Sequence, residues 1–89
     1  QLAIACDLRV AAPGAVFGVP TARIGLAVDP WTVRRLAQLS GGGTARAILV
    51  GCDRIGVDLA HARGLVDRLG ERADALAWAT ELATLAPLT

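Results

Sequence analysis

Lysine is absent from the sequence, and aromatic side chains make up 3% of it. The nine basic residues are therefore all arginines, scattered from Arg9 to Arg72 with only Arg34-Arg35 adjacent. Formal net charge is +1. A chain with no basic stripe and almost no rings offers nucleic acid neither an electrostatic track nor a stacking platform. Most of these arginines read as solvated surface. Cysteine is scarce too: Cys6 and Cys52 form no C-x-x-C pair, and the single His61 stands at no metal-ligand spacing to either. This gives no disulfide framework and no metal site, with a single Cys6–Cys52 disulfide a lesser alternative. Both thiols sit beside apolar residues and are expected to be buried and reduced, which suits a cytoplasmic protein. No run approaches the roughly 20 apolar residues of a membrane span. The opening Gln1-Leu2-Ala3-Ile4-Ala5 lacks the basic start of a signal peptide and reads as the inside of an element, as if the chain begins mid-structure.

What is present is apolar. Of the 89 residues, 54% are hydrophobic, and mean hydropathy is +0.51. A domain this small buries only roughly 60–65% of its unfolded surface. Either the core is built from small Ala and Val side chains, or part of this surface meets protein beyond the sequence in hand.

The pattern along the chain is helix, short strands, then mostly helices. Residues 1–5 read as the end of a buried helix. Residues 8–12 and 15–17 read as two strands separated by Pro13-Gly14. Residues 24–28 are extended or looped around Gly25. Asp29-Pro30 opens a helix, with Asp as N-cap and Pro at the first helical position. Val33, Leu36 and Leu39 or Ser40 are its expected inner face. Gly41-Gly42-Gly43 breaks it, Thr44 caps a helix over 45–50, and Gly51 stops that one. Residues 53–56 form a turn, 57–63 a short helix stopped by Gly64, and 65–67 a brief strand or extended exit. Residues 72–86 carry the clearest amphipathic helix pattern, ended by Pro87. Two strands make no stable sheet alone, so their partners are expected upstream of Gln1.

The ordered set of residues from Leu2-Ala3-Ile4-Ala5-Cys6-Asp7-Leu8-Arg9-Val10 through Phe17-Gly18-Val19-Pro20, then Arg35-Leu36, Gly43, Ala45-Arg46-Ala47-Ile48-Leu49, Gly51-Cys52-Asp53-Arg54-Ile55, Ala60 and Gly64-Leu65-Val66, resembles the crotonase superfamily (enoyl-CoA hydratases and isomerases) over nearly the whole chain. The stretch from Asp29 to Leu36 resembles a divergent, mycobacterium-type branch. The resemblance implies an α/β fold, a spiral of ββα turns, of which residues 1–89 form a partial crotonase-like domain. This middle-to-late part is mostly helical with two or three short strands and lacks the N-terminal sheet and the glycine-rich oxyanion loop. It further implies a homotrimer or hexamer, a CoA thioester as substrate or ligand with no separate cofactor, and two backbone N–H donors for the thioester oxygen, both lying before Gln1.

Hydratases of the family use two glutamates to move water and a proton. By the resemblance, Gln1 and Thr21 occupy those positions. A carboxamide is no general base and a hydroxyl is a poor one at neutral pH, so ordinary local hydrogen bonding is the favoured role for both. Asp29 resembles the aspartate of the family's dienoyl-CoA isomerases and is a candidate acid–base group. It is equally a helix N-cap, and the backbone N–H groups a cap accepts would lower its pKa. Phe17, Val28 and Trp31 are candidate contacts for the acyl chain, with plain packing the alternative for Trp31. Trp78 reads as packing, His61 as surface, and the glycine triplet as a turn, since it lacks the Lys-Ser/Thr ending of a phosphate loop.

The implied function is acyl-CoA (enoyl-CoA) binding in fatty-acid metabolism without hydratase activity. An isomerase using Asp29, a conventional hydratase, and an inactive remnant stand as alternatives.

Overall fold

The computed structural model describes residues 1–21 and 25–85. Its elements are α1 (Leu2–Ala5), β1 (Val10–Ala11), β2 (Val16–Phe17), α2 (Pro30–Ser40), α3 (Gly42–Leu49), β3 (Ile55–Gly56), α4 (Val57–Ala62), β4 (Arg68–Leu69) and α5 (Arg72–Leu82). The early strands find partners later in this same chain rather than only upstream. β1 pairs in parallel with β4, Val10 opposite Arg68, and β2 pairs antiparallel with β3, Phe17 opposite Ile55. Half of the turn expected over 53–56 is thus strand β3, and the exit after Leu65-Val66 pairs one residue later than expected, at Arg68. Ladders of two residues leave too little alternation for a period-two signal to register.

α2 begins where the sequence places it. Asp29 is the N-cap, Pro30 the first helical residue, and the Asp29 carboxylate accepts the Thr32 N–H at 3.0 Å. Its inner face differs from expectation: Thr32, Leu36 and Ser40 are buried, four residues apart, while Val33 is 41% exposed. The polar members tolerate burial because each hydroxyl is paired, Thr32 with Asp29 and Ser40 with the Leu36 carbonyl. Only the first glycine of the triplet breaks the chain. Gly41, at φ +85°, ends α2 and caps α3, which runs on through Gly42 and Gly43. Thr44 is therefore inside the helix rather than its cap. Past α3 the positive φ falls on Cys52, at +54°, not on Gly51.

The core mixes Ala and Val with larger Leu and Ile side chains. Ala11, Leu36, Ala45, Ile48, Ile55, Val57, Ala60, Leu65 and Val66 are all buried. Ile48, Leu65 and Val66 are almost wholly enclosed, and burying a side chain of this size contributes about 1.5–3 kcal/mol. Gly64 stops α4 as expected, at φ +87°. A β-carbon there would lie 2.9 Å from the Leu39 carbonyl oxygen, so the turn after α4 rests directly on the α2 backbone.

The chain's apolar content is only partly used. Leu2 is 83% and Val50 77% exposed. α1 is a helix as expected, but none of its residues is fully buried; Ile4 packs half-buried against the core. α5 likewise buries nothing fully; Ala75 and Trp78 are half-buried. Trp78 packs under Arg68, whose guanidinium carbon lies 3.8 Å from the ring centroid. The positions of Ile24, Ala86 and Pro87 lie outside the described residues. Cys6 is exposed and Cys52 half-buried, both free, so the expected burial of the thiols does not hold: each falls in a connection, where little is packed over it.

Candidate functional site

Two helices bring the candidate residues together. α1 carries Gln1 at its N-terminal end, and α2 carries Asp29 at its cap and Thr32 in its first turn. The Gln1 carboxamide nitrogen donates to Asp29 Oδ1 at 2.6 Å and to Thr32 Oγ1 at 2.9 Å. The Thr32 hydroxyl in turn donates to Asp29 Oδ1 at 2.7 Å. With the Thr32 N–H on Oδ2, the carboxylate accepts bonds at both oxygens. Those from the Thr32 side chain and backbone lead in holding the Asp29 carboxyl below its ordinary pKa; Gln1 adds to them and desolvation only partly opposes them. Asp29 is thus a fixed anion. A carboxylate so engaged is a weak proton acceptor.

Two arginines hold α1 in place. Arg35, one turn beyond Thr32 on α2, donates from Nε to the Ile4 carbonyl at 2.7 Å and from Nη2 to Cys6 at 3.1 Å. Arg9 is buried and donates to the carbonyls of Cys6 at 2.7 Å, Ala3 at 3.3 Å and Leu65 at 2.6 Å. Asp67 accepts the Arg9 backbone N–H at 2.8 Å and lies 3.7 Å from its guanidinium. The last carbonyls of a helix have no partner within it, and here the two guanidiniums supply one. Composition assigned these arginines to the surface; for Arg9, which closely follows the end of α1, nearness to a helix C-terminus was a signal, since cations are favoured there, whereas Arg35 lies mid-helix and carried none.

Beside the cluster lies a cleft of about 440 Å³. Phe17, Val19, Val28, Leu36, Ile48 and Leu65 give it apolar walls, and Gln1, Thr21 and Thr32 its polar points. Of the residues singled out in the sequence, Gln1, Phe17, Thr21 and Val28 therefore line one space. Asp29 reaches that space through Gln1 and Thr32 rather than lining it. Trp31 is 45% exposed and is not among the lining residues. The Thr21 hydroxyl is buried without a hydrogen-bond partner among the described residues. A second hollow behind the 16–20 segment is bordered by Cys52 and Arg54 and by no carboxylate. Among the described residues no group of His, Cys, Asp or Glu is arranged to hold a metal ion, and no helix is long and apolar enough to cross a membrane. His61 is exposed on α4.

Residues 1–87 match the enoyl-CoA hydratase/isomerase family profile. The chain belongs to that family. It is 51% identical over 88 residues to the "Probable enoyl-CoA hydratase echA6" of Mycobacterium tuberculosis, covering 99% of this chain and 36% of that protein, and equally so to its counterpart in Mycobacterium leprae. The crystal structure of an enoyl-CoA hydratase/isomerase family protein from Hyphomonas neptunium superposes with a TM-score of 0.88 at 38% identity, over 96% of this chain and 34% of that one. The fold is accordingly the crotonase fold, of which this chain forms a partial α/β segment. It spans about a third of the length of these relatives.

Within the enoyl-CoA hydratase/isomerase family the geometry acquires a meaning. The residues at the two positions where the resemblance implies glutamates both face the cleft, as Gln1 and Thr21. Neither is a carboxylate. The carboxylate that is present stands behind Gln1, bonded to it.

Proposed function

We propose that the protein binds an acyl-CoA or enoyl-CoA thioester, with the acyl chain in the cleft between Phe17, Val28, Leu36 and Ile48, and that it does not hydrate it. The observation that carries this reading is the state of Asp29. Its oxygens are taken by Gln1 and Thr32, and its pKa is lowered. Hydration needs a group that takes a proton from water and another that delivers one. Gln1 and Thr21 supply neither at neutral pH. What the cluster does supply is a rigid polar wall at one end of an apolar space, which orients a ligand without reacting with it. Membership of the family supports the thioester as ligand. As a whole, the protein works in the cytoplasm in fatty-acid metabolism, as a trimer or dimer of trimers.

The test is direct. Full-length protein is titrated with crotonyl-CoA by calorimetry, and the ultraviolet absorbance of the conjugated thioester is followed in parallel. Saturable binding with unchanged absorbance is expected; loss of the absorbance with water as the only co-substrate would overturn the reading in favour of a conventional hydratase.

One observation favours a second reading. Gln1 contributes one 2.6 Å hydrogen bond to Asp29, so a shift of Gln1 would open the carboxylate, still capped by Thr32, toward a bound acyl chain. An isomerase would then move a double bond of a dienoyl-CoA, and Asp29→Asn would abolish that movement.

A further inference from the structure

α1 has four residues, and none of them is buried. A helix that short has no stability of its own. One of its side chains, Ile4, packs half-buried against the core, and hydrogen bonds supply further ties. Gln1, at its head, is placed to within hydrogen-bonding distance of two partners on α2. The tail of α1 is attached to α2 as well. Arg35 spans the Ile4 and Cys6 carbonyls with two nitrogens of one guanidinium. Thr32 and Arg35 are three residues apart and so share a face of α2. α1 is therefore stapled to α2 twice along one face: Gln1 to Asp29 and Thr32 at the head, Arg35 to the carbonyls at the tail.

We propose that Arg35 is a positioning residue for Gln1, setting where the Gln1 carboxamide stands in the cleft and thereby how tightly a thioester is held. Arg9 shares the Cys6 carbonyl, but it is also bound to Leu65 and Asp67 and belongs to the core. The hydrogen bonds of Arg35 go to α1, which makes it the adjustable member of the pair. Bonds from a charged donor are roughly twice as strong as neutral ones. The planar fork also reaches two carbonyls at once, which an ammonium group does not do in the same geometry.

The role in affinity rests on the acyl-CoA reading; the role in placement does not, and two measurements on the full-length protein separate them. The first is the side-chain amide resonance of Gln1 in the unliganded protein, identified by its disappearance in Gln1→Ala. Arg35→Ala is expected to move it toward the position of a free carboxamide, Arg35→Lys to restore it in part, and Arg34→Ala, at the exposed neighbour, to leave it in place. Thermal melts of all the variants confirm that each is folded. An unmoved Gln1 resonance in folded Arg35→Ala overturns the proposal. The second is crotonyl-CoA affinity in a double-mutant cycle. Arg35→Ala and Gln1→Ala are each expected to weaken binding by about three- to tenfold, and the double variant to bind no more weakly than the worse single one, since coupled residues depart from additivity. Losses that multiply overturn the link to affinity. Absence of crotonyl-CoA binding in every form, with the Gln1 resonance still responding to Arg35, would sink the acyl-CoA reading and leave the clamp standing.

Discussion

The helices α1 and α2 meet at their site-bearing ends by a different logic from that which joins α3, α4 and the tail of α2. In the second region apolar side chains close over one another: Ile48 is 1% exposed, Val66 1% and Ala60 not at all. In the first, α1 contributes no fully buried residue; beside the half-buried Ile4, its position is fixed by bonds from Gln1, Arg9 and Arg35. Apolar burial is strong and non-directional. Charge-assisted hydrogen bonds add less net stability but define distance and angle. The core therefore carries stability, while the polar region carries geometry, and the candidate site sits on the side where geometry is set.

That contrast can be broken at its strongest point first. Ile48→Ala removes a fully enclosed side chain that also lines the cleft. Chemical denaturation should show a loss of about 2–5 kcal/mol, the usual range for such a deletion. A loss under 1 kcal/mol would mean that the core, too, depends mainly on polar contacts.

Arg9 lies on the boundary between the regions. Arg9→Met keeps most of the side-chain volume but leaves the buried Leu65 carbonyl without its 2.6 Å donor. A buried acceptor left unpaired costs about 1–3 kcal/mol, and the same denaturation experiment should report it. Agreement would show that one arginine serves both regions; a neutral result would confine it to placing α1.

The smallest effect is read against pH. The folded state holds Asp29 below its ordinary pKa of 3.8. A carboxyl of this kind contributes stability that is fully present above the unfolded value and is lost as pH falls through the lower folded value. The stability gap between the protein and Asp29→Asn should thus be constant from neutral pH down to about pH 5, shrink below about pH 4 and close in stronger acid, the midpoint lying under the ordinary carboxyl range. A gap that closes above pH 5 would place Asp29 among carboxylates whose charge is disfavoured, reopening its use as an acid–base group.

Much of the fold was legible where local chemistry is self-announcing. Asp29-Pro30 starts a helix, Gly64 stops one, and α5 begins at Arg72, with the Asp74 carboxylate accepting the Glu71 N–H at 2.7 Å. The strands β3 and β4 were not resolved as such, since two residues carry no periodicity. The inner face of α2 was legible at Leu36 and Ser40 but misplaced at its start, at Val33 instead of Thr32, because a buried threonine reads as polar until its partner is known; the Thr32 hydroxyl and N–H are paired with Asp29. The site was legible in part. Gln1, Phe17, Thr21 and Val28 meet at one cleft, a convergence to which the family resemblance pointed and which spacing alone does not supply. Thr32, Arg9 and Arg35 were missed because their importance lies in bonds made to residues 3, 31 and up to 58 positions away, and composition contains no trace of such reach.

Gly64 has a wider consequence. Its missing side chain lets one backbone rest on another, with the Leu39 carbonyl occupying the place a methyl group would need. At this point the spacing between α2 and the end of α4 is thus set by main-chain contact rather than by side-chain volume. Exchanging a core leucine or isoleucine for a residue of another size, at a cost in stability like that of Ile48→Ala, then changes the ligand space without changing the backbone contact that seats α2 here.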